Sequence, residues 1–331
     1  MNLIINFFNY CIRRTSRACW TLFKLMIPVS IIIHIIQEIN ILPYISDILN
    51  PIMYIVGLPA EMGLVWLTSL VVNIYGGLLS LFTIYPTLST PLTTAQMTVL
   101  LTMILIAHTF PIELGISKKS GIKIIVMFCI RFGFGIVAGI ILSWIYKTID
   151  CLNTITYPPQ IFTNETKTFG EWIFNELKNY GIITCIIFSL VCFIHFLEET
   201  KIIKWFNKLC LPTLKWLGIS EKMLPLTIAG LGMGIAYGGG LIIEESQRAD
   251  ISSKEIFYAM TLMGLFHSIF EDTILMLSMN GHWSGIIVFR MIFALIISRG
   301  IIKICNKIDN EQFDKWIMTK TFQKKKQSYY N

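Results

Sequence analysis

The chain has 331 residues, of which 54% are hydrophobic and only 14% charged, with a formal net charge of +7. A soluble domain carries about 25% charged residues, so this chain cannot coat itself with polar groups and lipid must be the solvent for much of it. The basic excess lies between apolar segments and in the tail, as orientation in a bilayer requires, so no nucleic-acid partner is expected.

In chain order, residues 1–19 come first. The opening ten are apolar with no basic stretch ahead of them, and Arg13, Arg14 and Arg17 follow rather than precede. That order reads as a segment lying in the membrane interface, not as a cleavable signal peptide. Apolar runs then cover 20–39, 61–86, 95–116, 121–146, 181–197, 223–243, 256–279 and 284–302. A helix needs about 20 apolar residues to cross a bilayer, so each run is a candidate span.

Two runs are unusual. The run 61–86 contains Tyr75-Gly76-Gly77, and the run 223–243 contains Tyr237-Gly238-Gly239-Gly240 after Gly230, Gly232 and Gly234. Glycine costs about 1 kcal/mol in a helix interior and adopts positive φ freely, so these clusters predict chain reversals inside the membrane. Short amphipathic stretches at 41–56 and 201–217 are too polar to span and are placed flat in the interface. The longest loop, 147–180, holds Pro158-Pro159, an Asn164-Glu165-Thr166 sequon, and Thr168 with Glu171 as a capping box before Trp172. The tail, 306–331, is polar and basic and reads as partly disordered. Eight cysteines are scattered without a CxxC pair. They read as small hydrophobes, so neither a disulfide framework nor a zinc site is expected.

The chain resembles itself. An offset of 161 pairs His34 with His195, Glu38 with Glu199, Pro51 with Pro212, Gly57 with Gly218 and Met62 with Met223. Tyr75-Gly76-Gly77 matches Tyr237-Gly238-Gly239 at an offset of 162, and an offset of 159 pairs His108 with His267, Glu113 with Asp272 and Arg131 with Arg290. Polar residues are rare in these runs, so their coincidence is informative. Residues 20–146 and 181–305 thus read as two repeats of one unit.

Charge chooses the topology. If all eight runs crossed, Lys118, Lys119 and Lys123 would fall outside with Lys201, Lys204, Lys208, Lys215 and Lys222. If the two glycine-broken runs are hairpins instead, only Lys147, Lys167 and Lys178 of the 27 basic residues lie outside. Arg131 and Arg290 then lie in the membrane and both termini are cytoplasmic, which obeys the positive-inside rule. Three crossings per repeat force the repeats into opposite orientations. The expectation is an all-α integral membrane protein with six transmembrane helices, two re-entrant hairpins, interfacial helices and an inverted repeat. That is the design of many secondary transporters.

The stretch Gly232-Met233-Gly234-Ile235-Ala236-Tyr237-Gly238-Gly239-Gly240, the Glu244-Glu245 pair after it, and His267-Ser268-Ile269-Phe270-Glu271-Asp272 resemble the Gate, or nucleoside-recognition, family of membrane proteins. The resemblance covers most of residues 20–305. That family includes the gate regions of ferrous-iron transporters and the spore maturation proteins, and its architecture is similar to the core of concentrative nucleoside transporters. It implies a transport-like fold in a bacterial-type inner membrane and a nucleoside-like or anionic solute. The transporters' own substrate-contact signatures and a GTP-binding loop are not found.

Charged groups in hydrocarbon cost at least about 2.5–3.5 kcal/mol each, so they need partners. His108 and His267, with the hairpin residues Tyr75, Gly76, Gly77, Tyr237, Gly238, Gly239 and Gly240, form the candidate solute site. Half-helix termini there would present free N–H groups. Glu113, Arg131, Glu271, Asp272 and Arg290 are candidate intramembrane charges, as a polar cluster or as the pairs Arg131–Glu113 and Arg290–Asp272. The plainer reading of the glycines is close helix packing. Glu244 and Glu245 read as an exposed hairpin end, and His34, Glu38, His195 and Glu199 as interface anchors. His267 and Glu271 share a helix face at i,i+4, a spacing common by chance, so no metal and no cofactor is expected. No catalytic motif occurs, and no catalytic residue is assigned. The expected partners are the bilayer, a small polar solute, and a protein partner or a second copy. Two other classes stay open: a non-transporting scaffold of the envelope, and an intramembrane enzyme acting on lipid.

Overall fold

A computed structural model describes residues 2–39, 42–159, 169–200, 202–245 and 251–323; the expected capping box at Thr168 and the sequon lie outside them. Among those residues every extended element is a helix and no β-strand occurs. The first half comprises α1 (Asn2–Glu38), α2 (Leu42–Ile55), α3 (Met62–Val71), α4 (Ile74–Ile84), α5 (Thr94–Ile106), α6 (Phe110–Lys119) and α7 (Ile124–Ile149). The second half comprises α8 (Phe169–Glu199), α9 (Ile202–Leu217), α10 (Leu224–Met233), α11 (Ile235–Glu245), α12 (Ser253–Leu265), α13 (Glu271–Ser278) and α14 (Arg290–Asn306), the last entered through a π-turn at Ser284–Phe289. A short helix, α15 (Asn310–Ile317), closes the chain.

The halves repeat one plan. Thr93 and Ser252, 159 residues apart, each cap a helix, and each forms a full capping box with Gln96 or Glu255 three residues on. Gly57 and Gly218, 161 apart, both take positive φ after α2 and α9. His34 stacks on Trp172 at 4.3 Å, and His195 meets Tyr10 at 4.3 Å, so each half's histidine sits on the other half's first helix.

Hydrogen bonds between segments show which ends of the bundle coincide. At one end, Gln96 donates to the carbonyl of Gly57, Thr94 N–H to that of Thr154, and Asn280 to that of Tyr157. At the other, Lys123 N–H donates to Ile317, Thr319 N–H to Gly121, and Lys254 to Ile308. The α5–α6 segment therefore starts at the first end and stops at the second, and α12–α13 runs the opposite way. This is an inverted repeat. The α3–α4 hairpin has both feet at the first end, where Tyr85 donates its hydroxyl to Thr156. The α10–α11 hairpin starts at the second end, where Arg299 holds the carbonyl of Leu217. Both hairpins turn inside the bundle.

The first reversal falls two or three residues before Tyr75-Gly76-Gly77, and the second falls within the glycine cluster the sequence offers, ahead of its Tyr-Gly-Gly residues. The first is at Val72–Asn73, where the Asn73 side chain accepts from Gly76 N–H at 2.8 Å. The second is at Gly234, whose φ of +97° only glycine adopts without strain. The glycines lie within the first two turns of α4 and α11. Gly77 serves close packing: a Cβ there would stand 2.6 Å from Ser69 Cβ across the hairpin.

Helices α5 and α12 are buried nearly all round, which marks them as the centre of the bundle. Outward residues of α7 and α14, such as Ile141, Trp144 and Ile296, are exposed and apolar, as a lipid-facing surface requires. Four helical segments among the described residues are long and apolar enough to cross a bilayer: Thr94–Lys119, Ile124–Ile149, Phe169–Phe193 and Ser284–Asn306. Two further expectations shift. Helix α1 is continuous from Asn2, with no boundary at residue 19, and carries Pro28 inside it. The start of the tail is ordered, with Phe313 of α15 wholly buried beside Phe257.

Candidate functional site

The runs 95–116 and 256–279 are not continuous helices. Each breaks next to a histidine, at Ala107–Thr109 and at Phe266–Phe270. Thr109 and Ser268, again 159 apart, adopt left-handed φ of 52° and 50°. Each break is tied to the nearer hairpin by a main-chain bond. Thr109 N–H donates to Ser69, and Ile269 N–H to Leu231, both at 2.9 Å. The hairpin tips and the breaks thus meet in the interior, where free backbone groups need partners.

The breaks bring His108 and His267 face to face, with ring centroids 5.0 Å apart. Their exposures are 4% and 1%. Glu113, one turn into α6, stands between them. Its Oε1 is 3.5 Å from His108 Nε2 and 3.4 Å from His267 Nε2, and its Oε2 pairs with Arg131. Asp272 Oδ2 lies 3.7 Å from His108 Nε2.

Arg131 and Arg290, 1% and 0% exposed, lock the halves together. Arg131 Nε donates across to Gly264 at 2.9 Å and to its own half's Ile106 at 3.2 Å. Arg290 Nη2 donates across to Leu105 at 3.2 Å and to its own half's His267 carbonyl at 2.8 Å. Gly264 and Leu105 are equivalent at the offset of 159, so the cross-contacts are reciprocal, as a twofold relation produces. Each guanidinium also lies over an aromatic ring, Phe110 at 5.3 Å and Phe266 at 5.0 Å. Of the two expected ion pairs, Arg131–Glu113 is present, whereas Arg290 holds main-chain carbonyls and Asp272 turns to His108.

Glu271 is separate from this centre and accepts from the Tyr75 hydroxyl at 3.1 Å, which joins the first hairpin to the second half. Helix α11 packs on α6 in the reciprocal sense. Gly76 and Gly77 are buried in the hairpin. Gly240 is exposed, with nothing within 4 Å of its Cβ position. The side chain of Tyr237 and the surroundings of Gly238 and Gly239 lie outside the described residues, as does the side chain of Glu199. His34, Glu38 and His195 lie near span ends, far from the centre, and Glu244 is exposed at the end of its hairpin. Gly264 was not singled out by sequence. A Cβ on it would crowd Met127 at 3.1 Å and Arg131 at 3.4 Å, so glycine lets the guanidinium pass.

The inverted repeat, the apolar helices and the buried polar centre define an all-α membrane protein. The site is compact, and its members touch one another directly. The chain is similar to the uncharacterized membrane protein YvoD of Bacillus subtilis (strain 168), 22% identical over 292 residues, which cover 86% of this chain and 90% of that one. No family model matches the chain, and no solved structure matches it.

Proposed function

We propose that this chain is a Gate-like protein of the cytoplasmic membrane that binds a small polar solute where its two broken helices meet and passes it across the bilayer. One observation carries the reading. Two helix breaks, reached by hairpin tips from opposite ends, bury His108, His267, Glu113 and Asp272 together. Inverted repeats with broken helices at a midplane site are the usual build of alternating-access transporters. Groups this costly in hydrocarbon are kept for such work. Between the two histidines the centre presents acceptor atoms, Glu113 Oε1 and Asp272 Oδ2, whereas the buried donors without a partner, Arg131 Nη2 and Arg290 Nε and Nη1, belong to side chains already engaged on Glu113 and on main-chain carbonyls. The acceptors between the histidines suit a cation rather than the nucleoside-like or anionic solute the resemblance implies.

Protein reconstituted into vesicles holding a pH-sensitive or a divalent-ion-sensitive dye tests this. An imposed cation gradient should collapse faster than in protein-free vesicles, and Asp272→Asn should slow it. Equal rates in all three would remove the translocation reading. They would leave a scaffold in which Arg131 and Arg290 serve only to hold the halves together.

The orientation follows from charge. Lys118, Lys119, Lys123, Lys254 and Lys315 gather at the end where α15 docks, and Lys147 lies at the other. The lysine-rich second end, where α15 docks, faces the cytoplasm in this reading, with both termini there and six crossings between. In a background without reactive cysteines, Lys119→Cys and Lys208→Cys should react with a membrane-impermeant maleimide only from the cytoplasmic face, and Lys147→Cys only from outside. The reverse pattern would refute the orientation.

A further inference from the structure

We propose that His108, His267 and Glu113, with Asp272 beside them, form a binding site for one divalent transition-metal ion of the zinc type. As a ligand set this stands on geometry alone; as the identity of the cargo it rests on the translocation reading above.

The argument begins with the ring nitrogens. His108 Nδ1 lies 2.8 Å from the carbonyl of Ile104, and His267 Nδ1 lies 2.7 Å from that of Met263. A carbonyl only accepts, so each Nδ1 carries the proton, and in a neutral ring each Nε2 is left as a lone pair. Both Nε2 atoms stand within 3.5 Å of one carboxylate oxygen, Glu113 Oε1. His267 Nε2 is buried there with no hydrogen-bond donor to meet it. Acceptors gathered round one point repel one another, and a cation at that point turns them into ligands.

Distance separates a metal from a proton. A proton shared between N and O draws them to about 2.7–2.9 Å. Around a tetrahedral zinc, with bonds of about 2.0–2.1 Å, neighbouring ligand atoms stand roughly 3.3–3.4 Å apart. The Nε2–Oε1 separations are 3.5 and 3.4 Å, and ligand atoms from the three residues all lie within 4.8 Å of one another. Asp272 Oδ2, at 3.7 Å from His108 Nε2, stands where a fourth ligand would.

The surroundings are those of a metal site. Each imidazole is oriented by a carbonyl on its far nitrogen, and Arg131 holds the outer oxygen of Glu113. Two imidazoles with carboxylate select a borderline ion over magnesium or calcium, which take oxygen.

Purified wild-type protein, stripped with a chelator, is titrated with cobalt(II) as the spectroscopic probe and then with zinc(II). One equivalent of cobalt per chain should bind, with the intense visible absorption of four-coordinate cobalt, and zinc should displace it. His108→Ala and His267→Ala should each weaken binding by at least about tenfold, while His282→Ala, outside the cluster, leaves it unchanged. Removing a buried group also endangers folding, so the wild-type result decides. No stoichiometric cobalt, a weak six-coordinate spectrum, or wild-type affinity in both histidine variants would overturn the site. Cation flux without metal binding would remove the metal and keep translocation. Metal binding without flux would keep the site as structural and remove translocation.

Discussion

Glu113→Gln is expected to destabilise the protein by about 3–5 kcal/mol, the cost of removing one partner from a buried ion pair. The amide has nearly the shape of the carboxylate, so the loss is electrostatic. Arg131 is 1% exposed, and without Glu113 its charge has only the carbonyls of Ile106 and Gly264 and the face of Phe110. Its Nη2 already lacks a hydrogen-bond partner. The measurement is unfolding of purified protein in a mixed-micelle denaturant titration. Arg131→Met in the same chain should recover part of the loss, and a double-mutant cycle then isolates the pair. A Glu113→Gln cost below about 1 kcal/mol, a value typical of exposed pairs, would show that the centre is solvated and not a sealed cluster.

The second large effect is steric. Gly77→Leu places a Cβ 2.6 Å from Ser69 Cβ and 3.2 Å from Ser69 Cα, in the middle of the first hairpin. Backbone cannot yield as a side chain can, so the limbs must part. Overpacking of this kind costs about 1–3 kcal/mol, which outweighs the roughly 1 kcal/mol that leucine gains over glycine in helix propensity. Gly115→Leu is the control, because nothing stands within 4 Å of its Cβ position. It should leave stability unchanged or slightly raised in the same titration. Ser69 also accepts from Thr109 N–H, so Gly77→Leu should disturb the break at His108 and weaken cobalt binding as well. Equal stability of the Gly77 and Gly115 variants would mean that the hairpin limbs do not pack as described.

The two breaks differ in how far the sequence announces them. In the first half, Pro111 sits in the first turn of α6 and cannot continue α5, a signal present within the run 95–116. In the second half no proline or glycine marks the break. Ser268 takes φ of 50° only because the hairpin tip and the opposed helix hold it there. Asn73 is similar. An asparagine in an apolar run is visible as an oddity, but its service as the cap of α4 depends on the chain having already turned. Tyr-Gly-Gly attracts notice as a turn, yet the glycines are small because another helix lies against them.

The linear chain by itself determined the solvent and the repeat, because these depend on composition and on recurrence of rare polar residues. A 14% charged chain has no other medium than lipid. Odd crossings per repeat force opposition whatever the packing. Only the tertiary structure decided which polar groups meet. Glu113 turned out to serve both histidines, Arg290 took carbonyls in place of Asp272, and Gly264 made room for Arg131. The decisive ones among them, Glu113 with His267, Arg290 with Leu105 and Gly264 with Arg131, join segments more than a hundred residues apart. They depend on ångström differences in reach that no local pattern encodes, since side-chain pairing follows backbone placement in three dimensions.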